Sequence, residues 1–246
     1  MSGHSKWSSI KHKKAATDSK RGRIFTRLIK EMTAAARNGG GDPDTNPRLR
    51  LAISTAKASN MPAENIKRAI MRGTGELPGV SYEDVNYEAY GPGGVAIIMR
   101  GLTDNKNRTV AELRHALSKG GGNLGETGCV GWMFDRKGYF VVEKTAADEE
   151  KLLELVLTAG ADDMREDGSN FEILAAPENF EAVRAALESA GIHTVAAEIS
   201  MIPQNYVKLE GKNAQTMLNL MEVLEDHEDI QNVWANFDID ELELKD

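Results

Sequence analysis

The chain has little of what extracellular and membrane proteins need. Its 246 residues include one cysteine, Cys129, which excludes an internal disulfide and any CxxC metal or redox pair. No stretch approaches the roughly 20 apolar residues that span a bilayer. The opening residues, MSGHSKWSSIKHKK, are basic but lack the apolar run of a secretory signal. We therefore expect a cytoplasmic protein with no membrane partner.

The common motifs of enzymes and cofactor sites are also missing. The five histidines have no HExxH or paired-ligand spacing, and no GxSxG motif occurs. A GxGxxG match at 120–125 follows a predicted helix and precedes a predicted strand, the reverse of the dinucleotide-binding context. Residues 42–53 resemble the start of a calcium loop, but Pro47 and Ile53 stand where a glycine and a bidentate glutamate are needed. We expect no enzyme activity, cofactor, metal or small-molecule substrate; an enzyme acting in a cleft between lobes is the unsupported alternative.

Positive charge is concentrated at one end of an acidic chain. The formal net charge is -8, yet residues 1–75 hold 16 Lys and Arg against five Asp and Glu, giving +11, while residues 76–246 carry -19. Between Ser9 and Phe25 only Asp18 interrupts six Lys and Arg residues. Such a split favours a basic face that is presented to a polyanion by a body that phosphates would repel. A solvated tail and a solvated helix face are the plainer alternative.

The basic segment suggests a nucleic-acid-binding site. Lys and Arg neutralise phosphates and release counterions without reading sequence, and Trp7 could stack on a base. The candidate nucleic-acid-binding residues are Lys6, Lys11, His12, Lys13, Lys14, Lys20, Arg21, Arg23, Arg27, Lys30 and Arg37. A second phosphate contact at Lys106 and Arg108, near a helix start, is about as well supported as an ordinary capped helix entrance.

Three helices are predicted for the basic part of the chain. Residues 19–37 have an apolar face at three- and four-residue spacings. That face comprises Ile24, Phe25, Leu28, Met32, Ala35 and Ala36. At about 100° per residue, the opposite line comprises Arg23, Arg27, Lys30, Ala34 and Arg37. A second helix begins at Asn46 and Pro47, and a third runs from Pro62 to Gly73 with Lys67, Arg68 and Arg72 outward.

The rest of the chain alternates strands and helices. Residues 79–136 give ββαβ, with the last strand near residues 129–134. Residues 137–203 give βαββαβ, the order of the ferredoxin-like motif. The remainder, 204–246, gives βαβ. We predict an α+β multidomain protein: a basic helical domain at 1–78, an α+β lobe built from 79–136 and 204–246, and a ferredoxin-like lobe at 137–203 inserted in it.

Several segments carry a family resemblance. They are GHSKW at 3–7, HKKAATDSKRGRIFTRLIKE at 12–31, GGGDPDTNPRLR at 39–50, YGPGGVAI at 90–97, DNKNRTVAELRHALSKGGGNLG at 104–125 and SMIP at 200–203. In these the chain resembles the YebC family, which includes the mitochondrial translational activators of cytochrome oxidase subunit I. The resemblance implies an N-terminal helical bundle and two α+β lobes, one inserted in the other, with no cofactor and no catalytic site.

The resemblance leaves two functions open. Family members are described mostly as probable transcriptional regulators that bind DNA, and some as ribosome-associated factors that support translation through difficult stretches. The first expectation is a DNA-binding transcriptional regulator that uses its basic helical face. The alternative is a translation factor that docks on ribosomal RNA, whose shape can be recognised without a base-reading helix.

Overall fold

The computed structural model describes the backbone of residues 18–239 and the side chains of residues 22–239. In chain order the elements are α1 Asp18–Gly39, α2 Pro47–Ala58, α3 Ala63–Thr74, β1 Glu83–Tyr90, β2 Ala96–Thr103, α4 Lys106–Lys119, β3 Asn123–Leu124, β4 Phe134–Glu143, α5 Glu149–Thr158, β5 Ala161–Asp167, β6 Asn170–Ala175, α6 Phe180–Ser189, β7 Thr194–Pro203, β8 Val207–Leu209, α7 Gly211–Asp226, β9 Ile230–Ala235 and β10 Phe237–Ile239. Within residues 18–239 no helix is both long and apolar enough to cross a bilayer.

The three N-terminal helices, called the helical domain below, share one small core. α2 begins where the sequence predicts, since Asn46 Oδ1 accepts the backbone N–H of Leu49 and Pro47 occupies the first turn. α3 ends at Thr74 and is capped by the left-handed Gly75, two residues beyond Gly73, the predicted stop. The buried residues are Met32, Ala35, Ala36, Leu49, Ala52, Ala56, Met61, Ile66 and Ala69. The predicted apolar spacing therefore does form the core of a three-helix bundle.

The first lobe is a four-stranded antiparallel sheet in the order β3-β1-β2-β9, with α4 and α7 packed on it. Leu113 and Leu117 of α4 join Met217 and Leu224 of α7 in the main core cluster of this lobe. β8 and β10 form a separate parallel pair. The lobe is thus assembled from two parts of the chain, β1 to β3 and β8 to β10.

The chain between those two parts folds into the second lobe. Its strands are antiparallel in the order β5-β6-β4-β7, the arrangement of a ferredoxin-like sheet, with α5 and α6 packed on it. Phe140 of β4 stacks on Phe180 of α6, with ring centroids 4.8 Å apart. The predicted α+β class, with a ferredoxin-like lobe inserted in another lobe, is confirmed.

One predicted strand is wrong. Residues 129–134 were expected to extend the first sheet, but the edge strand is the two-residue β3, and residues 131–133 form a 3₁₀ turn. The loop before that turn is held by Glu88, whose carboxylate accepts the backbone N–H groups of Gly128, Val130 and Gly131 at 2.7 Å each. A strand would instead direct these donors to a neighbouring strand.

Candidate nucleic-acid interface

Seven of the predicted contacts fall where the structure describes no side chain. Lys6, Lys11, His12, Lys13 and Lys14 lie outside the described residues, and Lys20 and Arg21 are described only as backbone in the first turn of α1. The predicted contacts with described side chains are Arg23, Arg27, Lys30 and Arg37. These four share one line along α1, as the helical period requires.

The prediction that this line is an open face is wrong at its centre. Lys30 is 8% exposed and Ala34 is 1% exposed. Lys30 Nζ donates to Asp229 Oδ1 at 2.7 Å and to the backbone oxygen of Glu228 at 3.0 Å. α1 therefore lies between the core of the helical domain on one side and the first lobe on the other. Lys30 is a buried link between them and is not placed to meet a phosphate.

Asp229 is the hub of this link. It is 1% exposed, and its carboxylate also accepts Arg108 Nη2 at 2.8 Å, Thr109 Oγ1 at 2.7 Å and Thr103 Oγ1 at 3.2 Å. Burial alone would raise the pKa of Asp229, but the hydrogen bonds from Lys30, Arg108 and Thr109 outweigh it and hold that pKa well below its usual range. The carboxylate is therefore ionised at neutral pH and attracts both cations.

The N-terminal half of the same line also faces acidic groups. Arg23 is exposed and pairs with Asp226 at the end of α7, and the hydrogen bond to Asp226 raises the arginine pKa. Arg27 is partly buried; burial lowers its pKa, while the nearby carboxylates of Glu225 and Asp226 oppose that effect. The acidic end of α7 thus lies against the basic line of α1.

A second ionic network joins the helical domain to the first lobe. Arg48 of α2 binds Glu31 of α1 through two bonds of 2.6 and 3.2 Å, and Asp84 of β1 through two bonds of 2.9 Å. Arg100 of β2 adds a 3.2 Å bond to Asp84. The hydrogen bonds to Glu31, partly opposed by burial, raise the pKa of Arg48. Bidentate pairing of this kind fixes orientation as well as charge.

The available positive charge lies elsewhere on the helical domain. Four basic side chains of this domain are exposed and have neither an ion pair nor a hydrogen bond among the described residues; they are called the exposed basic set, and they are Arg37, Lys57, Lys67 and Arg68. Arg50 is also exposed, but it donates to the backbone oxygens of Pro43 and Asp44. Only Arg37 was among the predicted contacts. The sequence predicts that Lys67 and Arg68 point outward on α3. The choice of binding residues, however, gave more weight to the denser positive charge before residue 31.

The start of α4 is a capped helix entrance. Asn105 Oδ1 accepts the backbone N–H of Arg108 at 3.1 Å. Lys106 pairs with Glu83 at 2.6 Å, and Arg108 pairs with Asp104 and Asp229 at 2.8 Å each. Both cations of this predicted phosphate contact already have carboxylate partners.

One cluster has the residue types of a metal site, but the lone pairs of His227 Nδ1 and of the Asp229 carboxylate are already used. Glu112, His227 and Asp229 place ligand atoms within 4.8 Å of one another. His227 Nδ1 accepts the backbone N–H of Asp229 at 3.1 Å, which puts the proton of a neutral imidazole on Nε2, 3.1 Å from Glu112. The Asp229 carboxylate is already used by four donors. The residues present do not make a ready metal centre.

Comparisons with known proteins agree with this architecture. Family models match residues 5–76, described as the TACO1/YebC protein N-terminal domain, and residues 82–237, described as the TACO1/YebC second and third domain. A protein of Acidobacterium capsulatum named "Probable transcriptional regulatory protein" is 60% identical over 243 residues, covering 99% of this chain and 98% of its own. A Geobacter sulfurreducens protein with the same description is 59% identical over 245 residues, covering 100% and 99%.

A solved structure extends the likeness to three dimensions. The crystal structure of a conserved hypothetical protein from Aquifex aeolicus is similar with a TM-score of 0.83 and 46% identity, covering 94% of this chain and 96% of that chain. Matches to both parts of the chain, near-full-length relatives and a shared fold lead to one conclusion. The chain belongs to the TACO1/YebC family.

Proposed function

We propose that the protein is a regulatory protein of the cytoplasm that binds nucleic acid. Its main ligand is duplex DNA, and it acts by binding and not by catalysis. The names of the relatives, probable transcriptional regulatory proteins, support a regulatory role in transcription. The observation that carries the proposal is the exposed basic set, which stands on the one domain of positive net charge in a chain of net charge -8.

The structure narrows how that charge would be used. Lys30 is buried, and Arg23 already pairs with Asp226, so the central line of α1 has little to offer a phosphate. The exposed basic set remains, together with the basic residues before position 22. Each phosphate neutralised releases counterions and adds roughly 0.9 to the slope of log affinity against log salt. Four contacts should therefore contribute about 3 to 4 to that slope.

The test replaces the exposed basic set with alanine in the full chain. We expect random duplex DNA to bind more weakly, with a salt slope shallower by about 3 to 4. The matched control replaces four exposed cations of the lobes that have no described partner, Arg114, Lys119, Lys151 and Lys212, and should change the slope by less than half as much. Equal effects of the two quadruple variants would mean that only net charge matters and would refute the assigned surface.

A second candidate is a translation factor that docks on ribosomal RNA and supports elongation through difficult stretches. It is favoured by the spread of the exposed basic set over three helices, because structured RNA is recognised by shape and backbone contacts. Competition at near-physiological salt between intact ribosomes and duplex DNA separates the two candidates. Ribosomes that displace the protein from DNA, with weak and uniform duplex binding, would favour the translation role.

A further inference from the structure

α2 and α3 are joined by a short and well-defined turn. Each helix has 12 residues, and residues 59–62 separate them. Asn60 has φ of 58°, in the left-handed region that few residues other than glycine adopt, and asparagine is among the few. The backbone N–H groups of Ser59, Asn60 and Met61 donate to Thr55, Lys57 and Ala56 respectively. The turn is therefore a built feature with satisfied donors.

The turn is anchored below and braced by α1. Met61 is 5% exposed and belongs to the same core as Ala56 and Ile66, so it pins the turn to the bundle. α3 crosses α1 closely: Thr33 Oγ1 of α1 donates to the backbone oxygen of Ala69, and a Cβ at Gly73 would lie 2.5 Å from the backbone oxygen of Thr33. Two helices joined by a four-residue turn and supported by a third have the element order and turn length of a helix-turn-helix unit.

The outward face of α3 has the chemistry of base recognition. Glu64, Lys67 and Arg68 are all exposed, and the 100° helical period places them within about 100° of one another, opposite the buried Ile66 and Ala69. Arginine and lysine donate to the O6 and N7 of guanine. Glutamate would be repelled by phosphates but accepts from the amino group of cytosine, so its place on this face favours contact with base edges.

The size and surroundings of α3 fit a major groove. Its 12 residues span about 18 Å, and the groove of B-DNA is about 12 Å wide and admits one helix. Lys57, three residues before the left-handed Asn60, stands at the end of α2 beside the turn, where the first helix of such a unit crosses the phosphate backbone.

We propose that α2, residues 59–62 and α3 form a helix-turn-helix unit, and that α3 enters the major groove of duplex DNA with Arg68 and Lys67 reading guanine-containing steps. This inference rests on the proposed function and goes further, because it names the reading helix and makes binding sequence-specific. Lys57 and Arg37 then serve as phosphate contacts, which set affinity but not sequence preference.

The test is selection of duplexes from a randomised pool by the full-length protein, followed by affinity measurements on an enriched and a scrambled duplex. We expect a short enriched motif containing guanine. Arg68→Ala should reduce discrimination at one base pair by about 5- to 150-fold, since a bidentate base contact carries that much selectivity. Arg68→Lys keeps the charge but replaces the planar guanidinium with a single ammonium, so it should lose part of the discrimination while binding the scrambled duplex as wild type does. Arg37→Ala should weaken binding to both duplexes equally.

Arg114→Ala is the matched control on α4 and should leave the motif unchanged. If the protein binds random duplex with strong salt dependence and no motif is enriched, the reading role of α3 is overturned. Nucleic-acid binding itself would then still stand. An enriched motif whose discrimination survives both Arg68→Ala and Lys67→Ala would also overturn it. Ribosome binding without duplex binding would overturn this inference and the DNA assignment together.

Discussion

Replacing Lys30 with methionine isolates the buried link between α1 and the first lobe. Methionine keeps most of the volume and the unbranched stem but removes the ammonium group that donates to Asp229 at 2.7 Å and to Glu228 at 3.0 Å. Asp229 would still be bound by Arg108 and Thr109. Asp229→Asn removes the other partner and leaves the 8% exposed Lys30 without a carboxylate.

The two replacements should differ in cost. Breaking a buried pair by removing one partner typically costs about 3–5 kcal/mol of unfolding free energy. Asp229→Asn should fall in that range because Lys30 is left buried and unpaired. Lys30→Met should cost about 2–3 kcal/mol, because a charged hydrogen bond is lost while Asp229 keeps a second cation. The double variant should cost less than the sum by about 0.5–3 kcal/mol, as expected for residues in contact.

Urea unfolding of the full chain, followed by circular dichroism, measures these differences as shifts in midpoint. The control is Arg23→Met on the same helix, whose pair with Asp226 is exposed to solvent and should contribute little to the free energy of unfolding. The reasoning is refuted if Lys30→Met and Arg23→Met lower the free energy of unfolding equally and the effects of Lys30→Met and Asp229→Asn are additive in the double variant. The buried link would then contribute no more than a surface pair.

Three further predictions concern pH and packing. The folded pKa of Asp229 is depressed, so its contribution to stability is complete above the unfolded pKa of about 3.9 and is lost as pH falls below that value. In wild type the urea midpoint should therefore fall as pH is lowered from about 5 to about 2.5. Asp229→Asn should make this fall smaller. Gly73→Ala should lower the thermal midpoint by an amount equivalent to about 1–3 kcal/mol, because its Cβ meets backbone, whereas Gly22→Ala, with nothing within 4 Å, should be neutral or stabilising by up to about 1 kcal/mol. Glu88→Gln should lower stability by about 1–3 kcal/mol in thermal unfolding, because one amide oxygen cannot replace two carboxylate oxygens as acceptors for three N–H donors. The control is Glu126→Gln in the same loop, whose side chain has no described partner. It should have little effect.

The sequence predicted the helices of the bundle because their signals are local. The cap at Asn46, the proline at 47 and the three- and four-residue apolar spacing all act within one helix, and the structure places each as expected. The burial of Lys30 could not be predicted in the same way, because it depends on residues almost 200 positions away. Ala34 was the available signal: a small apolar residue within a basic line indicates close packing.

The same distinction explains the error near residue 130. Residues 129–134 have the apolar character of a strand, and Val130 and Phe134 are indeed buried. The backbone N–H groups of Val130 and Gly131, however, are taken by Glu88, which lies about 40 positions earlier in β1. Composition predicted that this segment would be buried, but only the tertiary partner decides whether buried backbone pairs with a strand or with a side chain.

The basic residues of the helical domain fall into two groups, those that pair with the first lobe and those that remain exposed, so the charge asymmetry also serves the protein's own packing. A domain of +11 beside a body of -19 was interpreted as a surface for a polyanion, yet part of that charge faces the protein itself through Asp229, Asp226 and Asp84. These contacts hold α1 and α2 against the first lobe, and they leave α3 without an ionic link to that lobe among the described residues. The acidic body therefore orients the helical domain, so that α3 and the exposed basic set are the parts of it that remain available to a partner.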